Sequence, residues 1–215
     1  MLAELKPSLR LLLVLTLLTG VLYPLTVTGL ARLLFPDEAT GSLLENEDGK
    51  LIGSALIGQR FTQPGYFHSR PSAAGAGGYD ATQSGASNLP VTSKALVAGI
   101  VARAGVYRAD YPAGTAPPVP LELVTASASG LDPDLSPAAA LYQVPRIARV
   151  RRIGEEEVRT LVGLLTEKRA FGILGEPRVN LLKLNLALDE MAKTLTPLPL
   201  PPPPAPVQAP VKKQK

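Results

Sequence analysis

An uncharged apolar run over residues 11–31, bounded by Arg10 and Arg32, constrains this chain more than any other feature. Because a helix rises about 1.5 Å per residue, a run of this length spans roughly 30 Å, the thickness of a bilayer's hydrocarbon core. We therefore expect a transmembrane helix over residues 11–34. The rest of the chain is then tethered to a membrane.

A cleaved signal peptide is the alternative for this run, because Lys6 and Arg10 would form a basic n-region. The apolar region is far longer than that of a signal peptide, which favours an uncleaved anchor. Pro24 predicts a kink, and Gly20 and Gly29 would allow close approach of a second helix. We expect the membrane helix to pack on a partner through the side that carries both glycines.

Basic residues flank the run unevenly, with Lys6 and Arg10 before it and Arg32 followed by an acidic connector over residues 35–50. Basic flanks favour the cytoplasmic side of a membrane. We therefore expect residues 1–10 to be a cytoplasmic flank of a single-pass protein in the cell (inner) membrane. The soluble domain would then be extracytoplasmic.

Residues 51–195 are enough for one soluble domain with its own core. Their mixture of short strand-like runs and amphipathic helices predicts an α+β fold, a single mixed α/β soluble domain after one N-terminal transmembrane helix. Residues 196–215 are rich in proline, so we expect a disordered or extended polyproline tail.

The apolar periodicity and the turn residues predict the elements of this domain. They are a strand over residues 51–57, a long glycine-rich loop over 58–90, a helix over 94–107, a strand over 121–129, a helix over 138–143 that stops or kinks at Pro145, a helix from Glu155, and a short strand over 179–182 followed by a helix.

The predicted strand over residues 121–129 would place Thr125, Ser127 and Ser129 on one face. Such a strip of hydroxyls, running into a helix capped by Ser136, is typical of an anion site in outline. A solvated edge strand is the alternative. The basic group Arg146, Arg149, Arg151 and Arg152 is interpreted as a solvated face paired with the glutamates at 155–157.

Several classes of function are disfavoured by the composition. The chain has no cysteine and a single histidine, His68, so we expect no metal site and no catalytic residues. A nucleotide-binding P-loop and the aspartyl-phosphate motif of ion pumps are missing from the sequence. The net charge of +4 comes partly from lysines at the C-terminus, so nucleic acid is not an expected partner.

Three blocks of the sequence closely resemble the C subunit of the bacterial high-affinity potassium-transporting ATPase, the Kdp system. They contain Gly53, Ser54, 56–59, Phe61, Pro64, Tyr66, Phe67, 70–73, Tyr79 and 84–89 in the first block, 124–151 in the second, and 175–180 with 184–189 in the third. The sequence departs from the family pattern at Pro90, where a Gly-Pro-Thr step is usual, and at Asp134, where histidine is common.

The resemblance implies a non-catalytic accessory subunit of an ATP-driven potassium uptake pump. Its implied partners are a channel-like, potassium-translocating subunit and a P-type ATPase subunit. The family is also described as a catalytic chaperone that raises the affinity of the ATPase subunit for ATP. No stably bound cofactor is implied, although ATP is possible through the complex.

A nucleotide contact has been proposed for the family around the block that here contains Ser127, Ser129, Gly130 and Gln143. Two alternatives to a pump subunit remain at this point. One is a membrane-anchored extracytoplasmic binding module, and the other is a membrane-anchored serine hydrolase, which would have to use His68 as its base.

Overall fold

The computed structural model describes residues 2–46 and 49–195. The tail expected over residues 196–215 lies outside the described residues. The chain is mixed helix and strand, with one long apolar helix at its N-terminus and a soluble domain after it.

The N-terminal helix begins earlier than expected and has three parts. These are α1 (Leu2–Leu17), a π-helical turn (Leu18–Leu22) and α2 (Tyr23–Leu34). In the part of the chain that the structure describes, Glu4–Leu34 is the one helix long and apolar enough to cross a membrane, with a mean hydropathy of 2.0. It buries none of its residues in the domain, as a lipid-facing helix requires.

The π-helical turn lies directly before Pro24, at the place where a kink was predicted. Proline has no backbone N–H, so the carbonyl four residues earlier loses its usual partner. The N–H of Tyr23 donates to the carbonyl of Leu18, five residues back, which widens this turn. Widened turns of this kind are a recognised cause of helix bending.

Gly20 lies in the π-helical turn and Gly29 in α2. They are 29 − 20 = 9 residues apart. At about 3.6 residues per turn this separation is close to two and a half turns, so the two glycines face nearly opposite sides. Packing on a partner through these glycines stays a prediction, to be tested for each glycine by itself.

The connector contains regular structure. A short helix, α3 (Pro36–Ala39), is followed by β1 (Leu43–Glu45), which pairs antiparallel with β2 (Leu51–Ser54). The strand β2 ends earlier than the predicted strand over residues 51–57. This hairpin joins the membrane helix to the domain.

The remaining helices and strands form the body of the domain. They are α4 (Lys94–Arg108), α5 (Leu121–Val124), β3 (Asp134–Leu135), α6 (Pro137–Arg151), α7 (Glu155–Leu164), β4 (Thr166–Glu167), β5 (Arg178–Asn180) and α8 (Leu181–Thr194). The sheet has the order β3-β5-β4 with both pairs antiparallel. The side chains of Ser93, Ser136 and Asn180 cap α4, α6 and α8 by accepting backbone N–H groups.

The core lies between α6, α8 and the small sheet. Its fully buried side chains include Leu123, Leu135, Ile147, Val158, Val179, Leu184 and Leu188. The long glycine-rich loop contributes Phe67, which is completely buried. Because this ring anchors the loop, a segment with little regular structure keeps a defined position against α6 and α8.

The predicted strand over residues 121–129 is wrong. Leu121–Val124 is one helical turn, α5, and Thr125 donates its hydroxyl back to the carbonyl of Leu121 at 2.9 Å. Leu123 and Val124 are adjacent and both buried. Successive residues of a strand point to opposite faces, so a strand packed on one side could not bury both.

Of the stop or kink predicted at Pro145, the stop is wrong, because α6 runs without a break from Pro137 to Arg151. A proline inside a helix costs about 3 kcal/mol. Here the helix buries residues on both sides of Pro145, among them Val144 and Ile147, and this packing offsets the cost. The predicted strand over 179–182 ends at Asn180, where α8 is capped.

Candidate functional site

Ser127, Ser129 and Gly130 share one tight turn after α5. The hydroxyl oxygens of Ser127 and Ser129 lie 3.3 Å apart. The N–H of Gly130 donates to the Ser127 hydroxyl at 3.3 Å, and the N–H of Leu131 donates to the Ser129 hydroxyl at 3.1 Å. Both hydroxyls therefore accept hydrogen bonds from the backbone of their own turn.

Gly130 is held by the long loop. Its φ of +70° is a conformation that favours glycine, and a Cβ atom there would lie 2.6 Å from the Cβ of Ala74. Its carbonyl accepts the hydroxyl of Ser72 at 2.6 Å, and the same hydroxyl accepts the N–H of Tyr79 at 2.8 Å. The loop and the turn thus pack backbone against backbone.

Gln143 lies on α6 and is 1% exposed. Its side-chain oxygen accepts the N–H of His68 and a guanidinium N–H of Arg146, each at 2.8 Å. Its side-chain nitrogen donates to the carbonyls of His68 at 3.0 Å and Ala139 at 3.4 Å. All four hydrogen-bonding positions of this amide are occupied by the protein itself.

The four residues of the expected nucleotide region are therefore divided between two places. Ser127, Ser129 and Gly130 form one turn, whereas Gln143 bonds to the loop at His68 and to its own helix. Among the described residues, no hydrogen bond joins Gln143 to the turn. The polar strip with Thr125 is not formed, because its hydroxyl closes α5.

Arg146 does not belong to a solvated face, so that interpretation is wrong for this residue, whereas Arg149 and Arg152 are exposed. Its guanidinium is buried, lies 3.3 Å from the carboxylate of Asp110, and donates to the carbonyls of Pro64 and, at 3.0 Å, Tyr66. Burial lowers its pKa, and the nearby Asp110 carboxylate opposes that shift. Arg146 therefore fastens the loop to α6.

Two neighbouring arginines also bind groups other than the glutamates of α7. Arg149 pairs with Asp110 at 3.7 Å, and Arg151 pairs with Asp189 at 2.7 Å. The Arg151 guanidinium also lies over the ring of Tyr66, 4.5 Å from its centre. These arginines thus pair with Asp110, in the segment after α4, and with Asp189 of α8, and not with the predicted glutamates at 155–157.

His68 is a hydrogen-bonding residue of the same loop. Its Nε2 atom lies 3.0 Å from the carbonyl of Gln63 and 3.4 Å from Nη1 of Arg146. Burial, together with the positive charge of Arg146, lowers its pKa below the ordinary 6.5. Within the described ranges, its ring makes no hydrogen bond to a serine hydroxyl, which a serine hydrolase would require.

Residues 2–46 and 49–195 contain no group of three or more His, Asp or Glu side chains that could hold a metal ion.

In the membrane helix, a Cβ atom at Gly29 would meet nothing within 4 Å, and one at Gly20 would meet only Thr16 of its own helix at 3.9 Å. Both positions are open to a neighbouring helix.

Sequence reasoning missed the roles of Ser72 and Arg146. Ser72 lies within a recognised block, but its bond to Gly130 spans 58 positions of the sequence. Arg146 follows a proline in a run of arginines, which is typical of a solvated surface. The sequence pattern alone does not separate it from the exposed arginines that follow.

Comparison with known proteins identifies relatives along most of the chain. Residues 5–190 match the family KdpC, described as the K⁺-transporting ATPase c chain. A potassium-transporting ATPase KdpC subunit of Polaromonas naphthalenivorans is 56% identical, over 90% of this chain and 97% of its own length. A subunit of the same name from Methylococcus capsulatus is 55% identical, over 89% of this chain and 100% of its own length. Another from Gemmatimonas aurantiaca is 53% identical, over 90% of this chain and 96% of its own length.

Proposed function

This chain belongs to the KdpC family, and from that membership we propose that it is the accessory subunit of an ATP-driven potassium uptake pump. The observation that carries the proposal is the identity above 50% with KdpC subunits over about nine tenths of the chain. Its partners are then a potassium-translocating, channel-like subunit and a P-type ATPase subunit. The apolar N-terminal helix supports assembly within the membrane.

Assembly is tested by recovering a tagged form of the full chain from potassium-starved cells in mild detergent. The expected result is co-purification with a large channel-like membrane protein and an ATPase, identified by mass spectrometry. A chain that is recovered alone, from cells that take up potassium with high affinity, would favour a free-standing anchored binding module.

The subunit acts as a catalytic chaperone, and it raises the ATP affinity of the ATPase subunit indirectly. The basic flank at Lys6 and Arg10 favours an extracytoplasmic domain, which cannot reach cytoplasmic ATP. The domain would instead stabilise the channel-like subunit near its ion entrance. Coupling of about 1–3 kcal/mol between the two sites would change ATP affinity by roughly 5- to 150-fold.

Direct nucleotide contact by Ser127, Ser129, Gly130 and Gln143 is the second candidate. The geometry of these residues favours the indirect mechanism, because the serine hydroxyls and the whole Gln143 amide already bond within the protein. Ser127 and Gln143 are buried, so a nucleotide could reach them only by breaking bonds that they make within the protein.

The two mechanisms are separated by the ATP dependence of ATPase activity in the purified complex. Ser129→Ala removes an exposed turn hydroxyl of the expected nucleotide region, and Thr115→Ala removes a comparable exposed turn hydroxyl elsewhere. The indirect mechanism predicts that neither change alters the KM for ATP by more than about twofold. A KM that rises at least tenfold with Ser129→Ala alone would support direct contact.

A further inference from the structure

A cleft of about 420 Å³ opens between the long loop and α4, and Ser72 in its wall also bonds to Gly130 of the turn at 127–130. Arg60 and Arg70 line it from the loop, and Arg103 lines it from α4. None of the described residues that line the cleft is an aspartate or a glutamate. Its walls therefore carry a concentrated positive charge, which disfavours potassium as a ligand and favours an anion.

Two of these arginines keep most of their hydrogen-bonding capacity. Arg60 donates from Nη1 to the carbonyl of Gly77 at 2.9 Å, and Arg103 donates from Nε to the carbonyl of Val124 at 2.6 Å. A guanidinium has five N–H donors, so each retains spare ones. Neither has a carboxylate within 4 Å among the described residues, whereas Arg70 pairs with Asp132 at 2.8 Å.

The other walls of the cleft suit the body of an anion. Phe61, Tyr79 and Tyr107 provide rings, and apolar walls beside charged groups strengthen electrostatic attraction. Burial raises the pKa of Tyr107 to about 12, so its hydroxyl stays neutral and can donate. Among the described residues no hydrogen bond occupies that hydroxyl.

We propose that this cleft binds a phosphate-bearing anion through Arg60 and Arg103, with Tyr107 as a neutral donor. A phosphate group has several acceptor oxygens for the guanidinium forks, which match its geometry in pairs. The volume of the cleft is also larger than a halide or a single carboxylate requires. The group can come from a free phosphate compound or from the headgroup of an anionic lipid.

The test is calorimetric titration of the full chain in detergent micelles with inorganic pyrophosphate at low ionic strength. Arg60→Gln and Arg103→Gln should each raise the Kd about tenfold, since each removes a charge-assisted contact. Arg108→Gln is the matched control, because it removes the same charge from the same helix outside the cleft lining. It should change the Kd less than about twofold.

A second titration, in nanodiscs, identifies the source of the phosphate. If a lipid headgroup occupies the cleft, pyrophosphate should bind the unaltered chain more weakly in anionic than in zwitterionic nanodiscs. The Arg60→Gln variant should then bind pyrophosphate equally in both kinds of nanodisc. Equal binding by the unaltered chain in both assigns the cleft to a free phosphate compound. The proposal is overturned if the unaltered chain does not bind pyrophosphate in micelles. It is also overturned if Arg60→Gln and Arg103→Gln, which circular dichroism shows to be folded, bind pyrophosphate as well as Arg108→Gln does.

Discussion

The carboxylate of Asp110 lies 3.3 Å from Nε of Arg146, and this contact joins the segment after α4 to α6. The Arg146 side chain is 6% exposed and that of Asp110 is 19% exposed. A charge that is buried this deeply needs its partner, because little water reaches it. Since Arg146 also holds the loop carbonyls, the pair supports the whole loop.

Asp110→Asn should therefore lower the free energy of unfolding by about 2–3 kcal/mol, somewhat less than for a fully buried pair because Asp110 retains contact with water. Urea denaturation of the full chain in detergent measures the change. Glu155→Gln is the control, since the Glu155–Arg159 pair is 51% and 41% exposed and contributes at most about 0.5 kcal/mol. Equal effects of the two substitutions would contradict a supporting role for the buried pair.

Gly130 is expected to tolerate no side chain. Gly130→Ala combines the strain of a φ of +70° with contacts of 2.6 Å to the Cβ and 2.9 Å to the backbone nitrogen of Ala74. Gly114→Ala has a similar φ of +79° but meets nothing within 4 Å, so it isolates the strain at about 1 kcal/mol. Thermal denaturation should show a loss for Gly130→Ala at least twice that for Gly114→Ala. Equal losses would mean that the turn moves away from the loop.

Local rules predicted the elements that depend on neighbouring residues. The apolar run identifies the membrane helix, Ser136 and Pro137 identify the start of α6, and the acidic first turn identifies α7. Long-range contacts decided the rest. Arg146 is buried because it binds a carbonyl 80 positions earlier in the chain, and no periodicity records such a contact.

The expected hydroxyl strip shows the same limit of local patterns. Alternation after Leu121 indicated a strand, but two adjacent buried residues, Leu123 and Val124, required a helical turn instead. The family resemblance did identify the block that holds Ser127, Ser129 and Gly130. Their bonds to one another depend on the turn geometry, and the separation of Gln143 from them depends on how the loop packs on α6.

Stability should fall as the pH is lowered through the range of His68. The pKa of His68 in the folded state is below 6.5, so the unfolded chain binds the proton more readily. The contribution of neutral His68 to stability is therefore complete above about pH 6.5. It is lost as the pH falls toward the folded-state pKa. His68→Gln keeps a donor for the Gln63 carbonyl but does not titrate. The melting temperature of the unaltered chain should drop more between pH 7.5 and 5.5 than that of His68→Gln.

The difference between these two proteins is the quantity to compare, because other groups titrate nearby. Burial raises the pKa of Asp134, which has the opposite sign: its contribution to stability increases as the pH falls through its folded pKa. That contribution is common to both proteins and cancels. Parallel pH profiles would contradict a neutral, partly buried His68.

Each membrane-helix glycine should be tested by itself, because they face nearly opposite sides. Helices in lipid associate by close backbone approach, which a large side chain prevents. Gly20→Leu or Gly29→Leu, whichever faces the channel-like subunit, should reduce the amount of this chain that co-purifies with the pump. Leu25→Ile, an apolar change within the same helix, is the control. Wild-type recovery with both glycine variants would exclude packing through either position.

The side of the membrane on which the domain lies decides between indirect and direct action on ATP. The chain has no cysteine, so one introduced thiol reports a single position. Gly77 is suitable because a Cβ atom there would meet nothing within 4 Å, and Ser8, exposed before the apolar run, reports the opposite side.

The most direct measurement is labelling of Gly77→Cys and Ser8→Cys in intact cells, with any outer membrane opened, by a membrane-impermeant thiol reagent. The extracytoplasmic domain predicted here gives immediate labelling of Gly77→Cys, whereas Ser8→Cys is labelled only after lysis. Protection of Gly77→Cys until lysis, with Ser8→Cys labelled in intact cells, would contradict indirect action and leave direct contact with ATP as the mechanism.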